Sequence, residues 1–342
     1  MTHRLLRNIV VSTAFVLPMA GHAAEQLNML CASDNDWCEL MRNTFQKETG
    51  IEVSMVRKSS GEIFAQIRAE AANPKNDIWW AGTGDPHLQA ANGGFTEVYQ
   101  SPQLAKLYPW AQEQAKISGY RTVGVYMGLL GIGYNPEVLK ARKLAPPKCW
   151  KDLLKPDFAG EIQIPNPNSS GTAYTAMATF VQLFGENEGF AFMKALGNNV
   201  SQYTKSGSAP AKALGRGETG IGITFLHDLL KEAMAGMPVE VLAPCEGTGF
   251  EIGSMSIIKG ARNMENAKKF YEFALRPDVQ SLAIKANALQ IPSNTAAEIP
   301  PKAPRPENVK LINYDFAKYG SDDVRKRLLK RWDEEIFAAQ RK

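Results

Sequence analysis

Two long apolar β runs punctuate this chain of 342 residues, Val123-Gly-Val-Tyr-Met-Gly-Leu-Leu-Gly-Ile-Gly-Tyr134 and Phe250-Glu-Ile-Gly-Ser-Met-Ser-Ile-Ile258, and each follows a complete strand–helix set. The first set reads as a strand over 27–30, a helix over 36–49 with Trp37, Leu40, Met41 and Phe45 on one face, and an alternating strand over 51–56. A helix from Ser59 to Ala72 and a buried strand over 77–80 complete it. Strand–helix alternation of this kind dictates a parallel sheet with helices on its faces. The second set repeats the grammar: a strand over 160–165, helices over 172–184 and 188–196, a loop over 203–209, a strand over 220–225 ending at His227 and Asp228, then a helix over 229–235. A repeated set implies a second lobe.

Each long β run is suited to carrying the chain from one lobe to the other, so both lobes are discontinuous in sequence. The expectation is an α/β protein with a doubly wound sheet in each lobe and two crossing strands. One lobe comprises 25–125 plus 249–300, the other 126–248 plus 301–342. The tail reads as a proline-rich loop over 299–306, a strand over 309–315 and a charged helix from Ser321 to the end.

Residues 1–24 read as a secretory signal peptide. Arg4 and Arg7 precede a mostly apolar run over 8–19, too short to span a bilayer, and cleavage is expected after Ala23 or Ala24. Leu30 before Cys31 is not the small residue that a lipidation site wants. The mature chain is therefore expected free in the periplasm, and monomeric. Two of the net positive charges belong to Arg4 and Arg7, out of a total of only +4. So mild a balance, with scattered Lys and Arg, excludes nucleic acid as a partner.

Cys31, Cys38, Cys149 and Cys245 make an even number in an exported chain, which predicts disulfides. Cys31 and Cys38 enclose a short loop, and pairing them leaves Cys149 with Cys245. No Cys-x-x-Cys and no neighbouring pair of His supports a metal site instead.

Ligands of doubly wound sheets bind beyond the carboxyl ends of the strands, where helix N-termini point. The loops there carry Ser59, Thr83, Ser169, Ser170, Gly171, Thr172 and Ser206. Hydroxyls and free backbone N–H groups at helix starts suit an oxyanion, because they donate hydrogen bonds while the helix dipoles add partial positive charge. Each hydroxyl alone also suits an ordinary N-cap, and Ser59-x-x-Glu62 is a complete capping box. Three of the loops double their hydroxyls, more than one cap requires. Glu251 on an apolar strand requires a partner or a polar ligand, and with His227 and Asp228 it is placed near the hinge. His87 reads as a helix-start residue. The chain contains no Gly-x-Ser-x-Gly elbow, no phosphate loop with its Lys and no His-Glu-x-x-His, so no catalytic activity and no cofactor are expected.

Three segments, 77–86, 149–160 and 165–174, resemble the type II periplasmic substrate-binding proteins of ABC importers, in the group long labelled ferric-ion-binding. The resemblance implies a ligand gripped between two lobes and delivery to a permease in the inner membrane. Ferric-binding members usually offer adjacent tyrosines, and this chain has no Tyr-Tyr pair: Tyr174 and Tyr203 stand alone. It looks closer to the hexose-phosphate branch. That resemblance implies phosphate on Ser59, Thr83, Ser169, Ser170, Gly171, Thr172 and Ser206, with sugar hydroxyls on His227, Asp228 and Glu251. An aminophosphonate, its ammonium group facing Asp228 and Glu251, is the alternative ligand, and ferric ion the next.

Overall fold

The computed structural model describes residues 25–338, so the expected signal peptide lies outside the described residues. The strands are β1 (Gln26–Cys31), β2 (Glu52–Arg57), β3 (Ile78–Trp80), β4 (Val123–Tyr134), β5 (Ile162–Pro165), β6 (Val200–Thr204), β7 (Ile221–Phe225), β8 (Glu240–Leu242), β9 (Phe250–Ile257) and β10 (Ile291–Pro292). They hydrogen-bond in the order β2-β1-β3-β9-β4-β7-β5-β6, with β8 and β10 also on β4. β1, β2 and β3 are parallel, as are β5, β6 and β7.

β4 is the strand that belongs to both lobes. Its residues from Val123 to Leu129 pair antiparallel with β9, and those from Leu130 to Tyr134 pair with β7. A strand buried along nearly its whole length must be apolar on both faces, which explains its unbroken run of apolar and glycine residues.

Each lobe has its own core. In the first, the helix Asn35–Thr49 buries Trp37, Met41 and Phe45 at fourfold spacing and ends at Gly50, whose left-handed backbone lets its N–H close on the Gln46 carbonyl. Phe45 packs against Phe270 and Phe273, and burying such a ring stabilises by about 2–3 kcal/mol. In the second, Trp150, Phe180 and Phe192 pack together, and the tail joins them through Tyr314, Tyr319, Leu328, Trp332 and Ile336. The disulfides are Cys31–Cys38 and Cys149–Cys245, as expected.

Three local readings are corrected. Residues 309–315 form no strand: Leu311 makes one isolated bridge to Thr248, and the segment is held by side chains such as Tyr314. Tyr203 is not in a loop but in β6, an edge strand beside β5 whose exposed Ser201 and Gln202 disguised it as polar loop. His227 and Asp228 do not end a strand. β7 stops at Phe225, and both residues occupy the first turn of the helix Leu226–Met234.

Candidate ligand-binding site

The carboxyl ends of β1, β2 and β3 in one lobe face those of β5, β6 and β7 in the other across a cleft of about 60 Å³. That is room for several water molecules between the two lobes.

One end of the cleft is built from helix N-termini. The helices Ser60–Ala69, Gly84–Asn92 and Gly171–Phe184 begin beside one another, capped by Ser59, Thr83 and Ser170. Thr83 N–H donates to Ser60 Oγ at 3.2 Å, and Ala173 N–H donates to Ser170 Oγ. The expected capping box is complete, with Glu62 accepting from Ser59 N–H at 3.3 Å, and Ser59 Oγ also donates across the cleft to the Lys205 carbonyl. Thr83 Oγ1 is buried with no hydrogen-bond partner. Gly171 is a point of close approach between the lobes: a Cβ there would stand 1.7 Å from Thr83 Oγ1 and 3.1 Å from Ser60 Cβ. Thr172 Oγ1 lies against Gly207, whose absent Cβ would fall 2.2 Å away. Three converging N-termini with hydroxyls among them supply the N–H donors and partial positive charge that an anion requires.

The other end carries two acids and a histidine. Glu251 enters from β9 opposite Gly128 of β4. Gly128 has to lack a side chain, because a Cβ would meet His227 Cε1 at 2.5 Å and Glu251 Oε1 at 2.8 Å. His227 Nε2 stands 3.6 Å from Asp228 Oδ1 and 3.9 Å from Glu251 Oε1, and its Nδ1 is buried without a partner. Burial, then the Asp34 charge, pushes the Asp228 carboxyl up to about 7. Burial, then Asp228, holds Glu251 well above the usual carboxylate range. Burial also lowers His227 to about 3, so the ring is neutral. These groups can donate and accept hydrogen bonds without net charge.

Of the ten residues singled out from sequence, Ser59, Thr83, Ser170, Gly171, Thr172, His227, Asp228 and Glu251 line the cleft. Ser169 and Ser206 stand outside the lining. Ser169 Oγ donates to the carbonyls of Asn166 and Lys205, and Ser206 Oγ accepts from Arg57 Nη2 at 3.4 Å. His87 is a structural residue: it stacks on Trp79 at 3.5 Å and its Nδ1 lies 2.8 Å from Ser256 Oγ. Sequence reasoning missed Asp34, Arg57, Lys231 and Tyr126, all in the lining. Tyr126 accepts from Gly82 N–H at 3.0 Å, and burial raises its phenol well above its ordinary value. For Asp34 and Arg57 the signal was available, since Arg57 ends β2 and Asp34 lies in the loop that follows β1.

Residues 74–319 match the family described as bacterial extracellular solute-binding protein. The periplasmic binding protein AfuA from Actinobacillus pleuropneumoniae, solved with exogenous fructose-6-phosphate bound, is 48% identical, covers 92% of this chain and 99% of its own, and superposes with a TM-score of 0.90. An uncharacterized protein of Haemophilus influenzae is 46% identical over 97% of this chain and 98% of its own length. A putative 2-aminoethylphosphonate-binding periplasmic protein of Salmonella typhimurium is 25% identical over 81% of this chain and 82% of its own. The chain belongs to the bacterial extracellular solute-binding proteins, as a type II periplasmic binding protein of the ferric-binding-like group that serves ABC importers.

Proposed function

We propose that the chain, exported by its leader, captures a hexose phosphate in the periplasm as a monomer and delivers it to the permease of an ABC importer, with no catalysis of its own. The observation that carries this reading is the polarity of the cleft. Three helix N-termini and their hydroxyls gather at one end, and His227, Asp228 and Glu251 gather at the other. The first end suits a phosphate, and the second suits hydroxyl groups that both donate and accept. The relative bound to fructose-6-phosphate supports the same ligand class.

Anion donors come from both lobes and are satisfied together only when the lobes close, so ligand stabilises the closed form that the permease recognises. An aminophosphonate is the second reading, favoured by the paired acids and by the Salmonella relative. Iron finds little support. Tyr126 in the cleft is a neutral phenol, and Tyr174 is turned away, donating to the Tyr319 carbonyl at 2.8 Å.

Calorimetric titration of four proteins tests the assignment: wild type, Thr172→Ala, Asp228→Ala and Glu251→Ala. The ligands are fructose 6-phosphate, inorganic phosphate, fructose, 2-aminoethylphosphonate and ferric citrate. Thr172→Ala weakens every phosphorylated ligand alike, by about 1.5–3 kcal/mol for one donor to a charged oxygen. The acid variants weaken the sugar phosphate far more than inorganic phosphate. Undiminished fructose 6-phosphate binding by both acid variants removes the sugar-side assignment.

A further inference from the structure

Asp34 follows β1 and caps the helix Asn35–Thr49 in the first lobe, and its carboxylate is held by groups of the second. Ser208 Oγ donates to Asp34 Oδ1 at 3.1 Å. Lys231 Nζ donates to Asp34 Oδ2 at 3.1 Å, and Lys212 Nζ stands 3.8 Å from Oδ1. Lys231 comes from the helix that carries His227 and Asp228, and it also reaches Asp36 at 2.7 Å. Other contacts also join the lobes: buried Asp85 accepts from Tyr314 Oη at 3.0 Å and from Thr175 Oγ1 at 3.3 Å. Arg57 to Ser206 and Ser59 to the Lys205 carbonyl are both 3.4 Å, and Lys205, paired with Glu62, is 75% exposed.

Exposed pairs contribute little, because solvent and salt screen them. Asp34 and Lys231 are different, with side chains only 16% and 22% exposed. Burial raises the Asp34 carboxyl, but Lys231, then Lys212, outweigh it and leave the group ionised below its usual value. Parting the lobes would strip this carboxylate of Ser208, Lys231 and Lys212 at once, since none of the three belongs to its own lobe. No feature of the sequence marked Asp34 for this task.

We propose that Asp34 is a positioning residue for capture: its carboxylate, gripped by Ser208, Lys231 and Lys212, latches the two lobes across the cleft and sets how long a ligand is held. The latch rests on the reading of the chain as a solute receptor, and not on which solute it takes. It acts on the closed state, so it slows release and leaves association nearly untouched.

The test uses spin labels at Val98→Cys and Met237→Cys, exposed positions on the two lobes, in five backgrounds: wild type, Asp34→Asn, Lys231→Met, Lys212→Met and the double variant Asp34→Asn with Lys212→Met. Lys212 is the decisive background because it does not line the cleft. Inter-label distances are read in the protein alone, and release of fructose 6-phosphate is read by stopped flow. Asp34→Asn is expected to shift the distances outward and to speed release roughly tenfold, with association within about twofold. Lys212→Met is expected to act in the same direction by roughly two- to threefold, and to add nothing once Asp34 is Asn. Unchanged distances in Asp34→Asn, or a Lys212→Met variant identical to wild type in both readouts, overturn the latch and leave Asp34 a direct ligand contact. Should fructose 6-phosphate fail to bind the wild type, the ligand assignment falls while the distance measurement still decides the latch.

Discussion

Gly171→Ala should separate folding from capture, because the added methyl falls between the lobes and not inside either. Its Cβ would lie 1.7 Å from Thr83 Oγ1, 2.9 Å from Thr83 Cβ and 3.1 Å from Ser60 Cβ. A rotation about the Thr83 side chain can swing the oxygen aside but cannot move the two Cβ atoms. Carbon atoms rest about 3.5–4 Å apart, so the helix starts must separate by at least roughly half an ångström. Donors on opposite sides of a shared anion then stretch toward the distance at which hydrogen bonds fail. Weakening one or two charge-assisted bonds costs about 2–4 kcal/mol, or roughly 30- to 1000-fold in Kd. Gly171 opens its helix, where Ala is at least as favourable as Gly, so Tm should hold or rise. Calorimetric titration with fructose 6-phosphate, beside thermal unfolding without ligand, reads both quantities. Affinity within threefold of wild type would refute the idea that these helix starts must meet around the ligand.

Two further outcomes follow from the cleft and the covalent frame. Asp228, raised to about 7 mainly by burial, keeps a proton in the native state that the unfolded chain sheds near its ordinary 3.8. This contribution is present below about pH 4 and lost as pH rises through 7. The ligand-free Asp228→Asn variant should therefore gain in Tm relative to wild type from pH 4 to 8, and a difference that stays flat contradicts the assignment. His227 has the opposite sign: its pKa is depressed to about 3, so its contribution is lost as pH falls below 6.5. Dithiothreitol applied to the native protein should open Cys149–Cys245, whose Cys245 is exposed, before the fully buried Cys31–Cys38. With a sequence separation of 96, its loss should lower stability by about 4–5 kcal/mol. Alkylation and peptide mapping read the order, and labelling of Cys31 before Cys245 would reverse the reasoning.

The parts legible in the sequence are those governed by local periodicity and by helix starts. Alternation in β2, the short apolar run of β3 and fourfold spacing in the helix after β1 encode the first lobe, because these patterns follow from which side chains a strand or helix must bury. The hydroxyl-rich loops were visible because a helix start has to be capped by some residue, and surplus hydroxyls stand out. The pairing of Asp34 with Lys231 was not visible. The two lie 197 positions apart, and each in isolation resembles an ordinary charge at the start or on the face of a helix. Their meeting depends on how the two lobes approach. The placement of His227 and Asp228 turned on one boundary: the apolar run through Phe225 and Leu226 does not reveal which residue last pairs in the sheet.

The same electrostatics bear on the choice between sugar and ammonium. A carboxyl whose proton is retained by burial can donate to one hydroxyl and accept from another, which matches what sugar hydroxyls offer. An ammonium group only donates, and it would be best held with Asp228 and Glu251 both ionised. Each of these acids raises the other or is raised by a neighbouring carboxylate, Asp34 for Asp228 and Asp228 for Glu251. Ionising both in a buried site works against desolvation and against that mutual repulsion together. His227 adds no charge to relieve them. At the opposite end the helix starts supply partial positive charge already fixed in place, so an anion seats there without asking any buried side chain to ionise. On the proposed reading the cleft suits a ligand that is anionic at one end and hydroxyl-bearing at the other, the pattern of a phosphorylated sugar more than of a zwitterion.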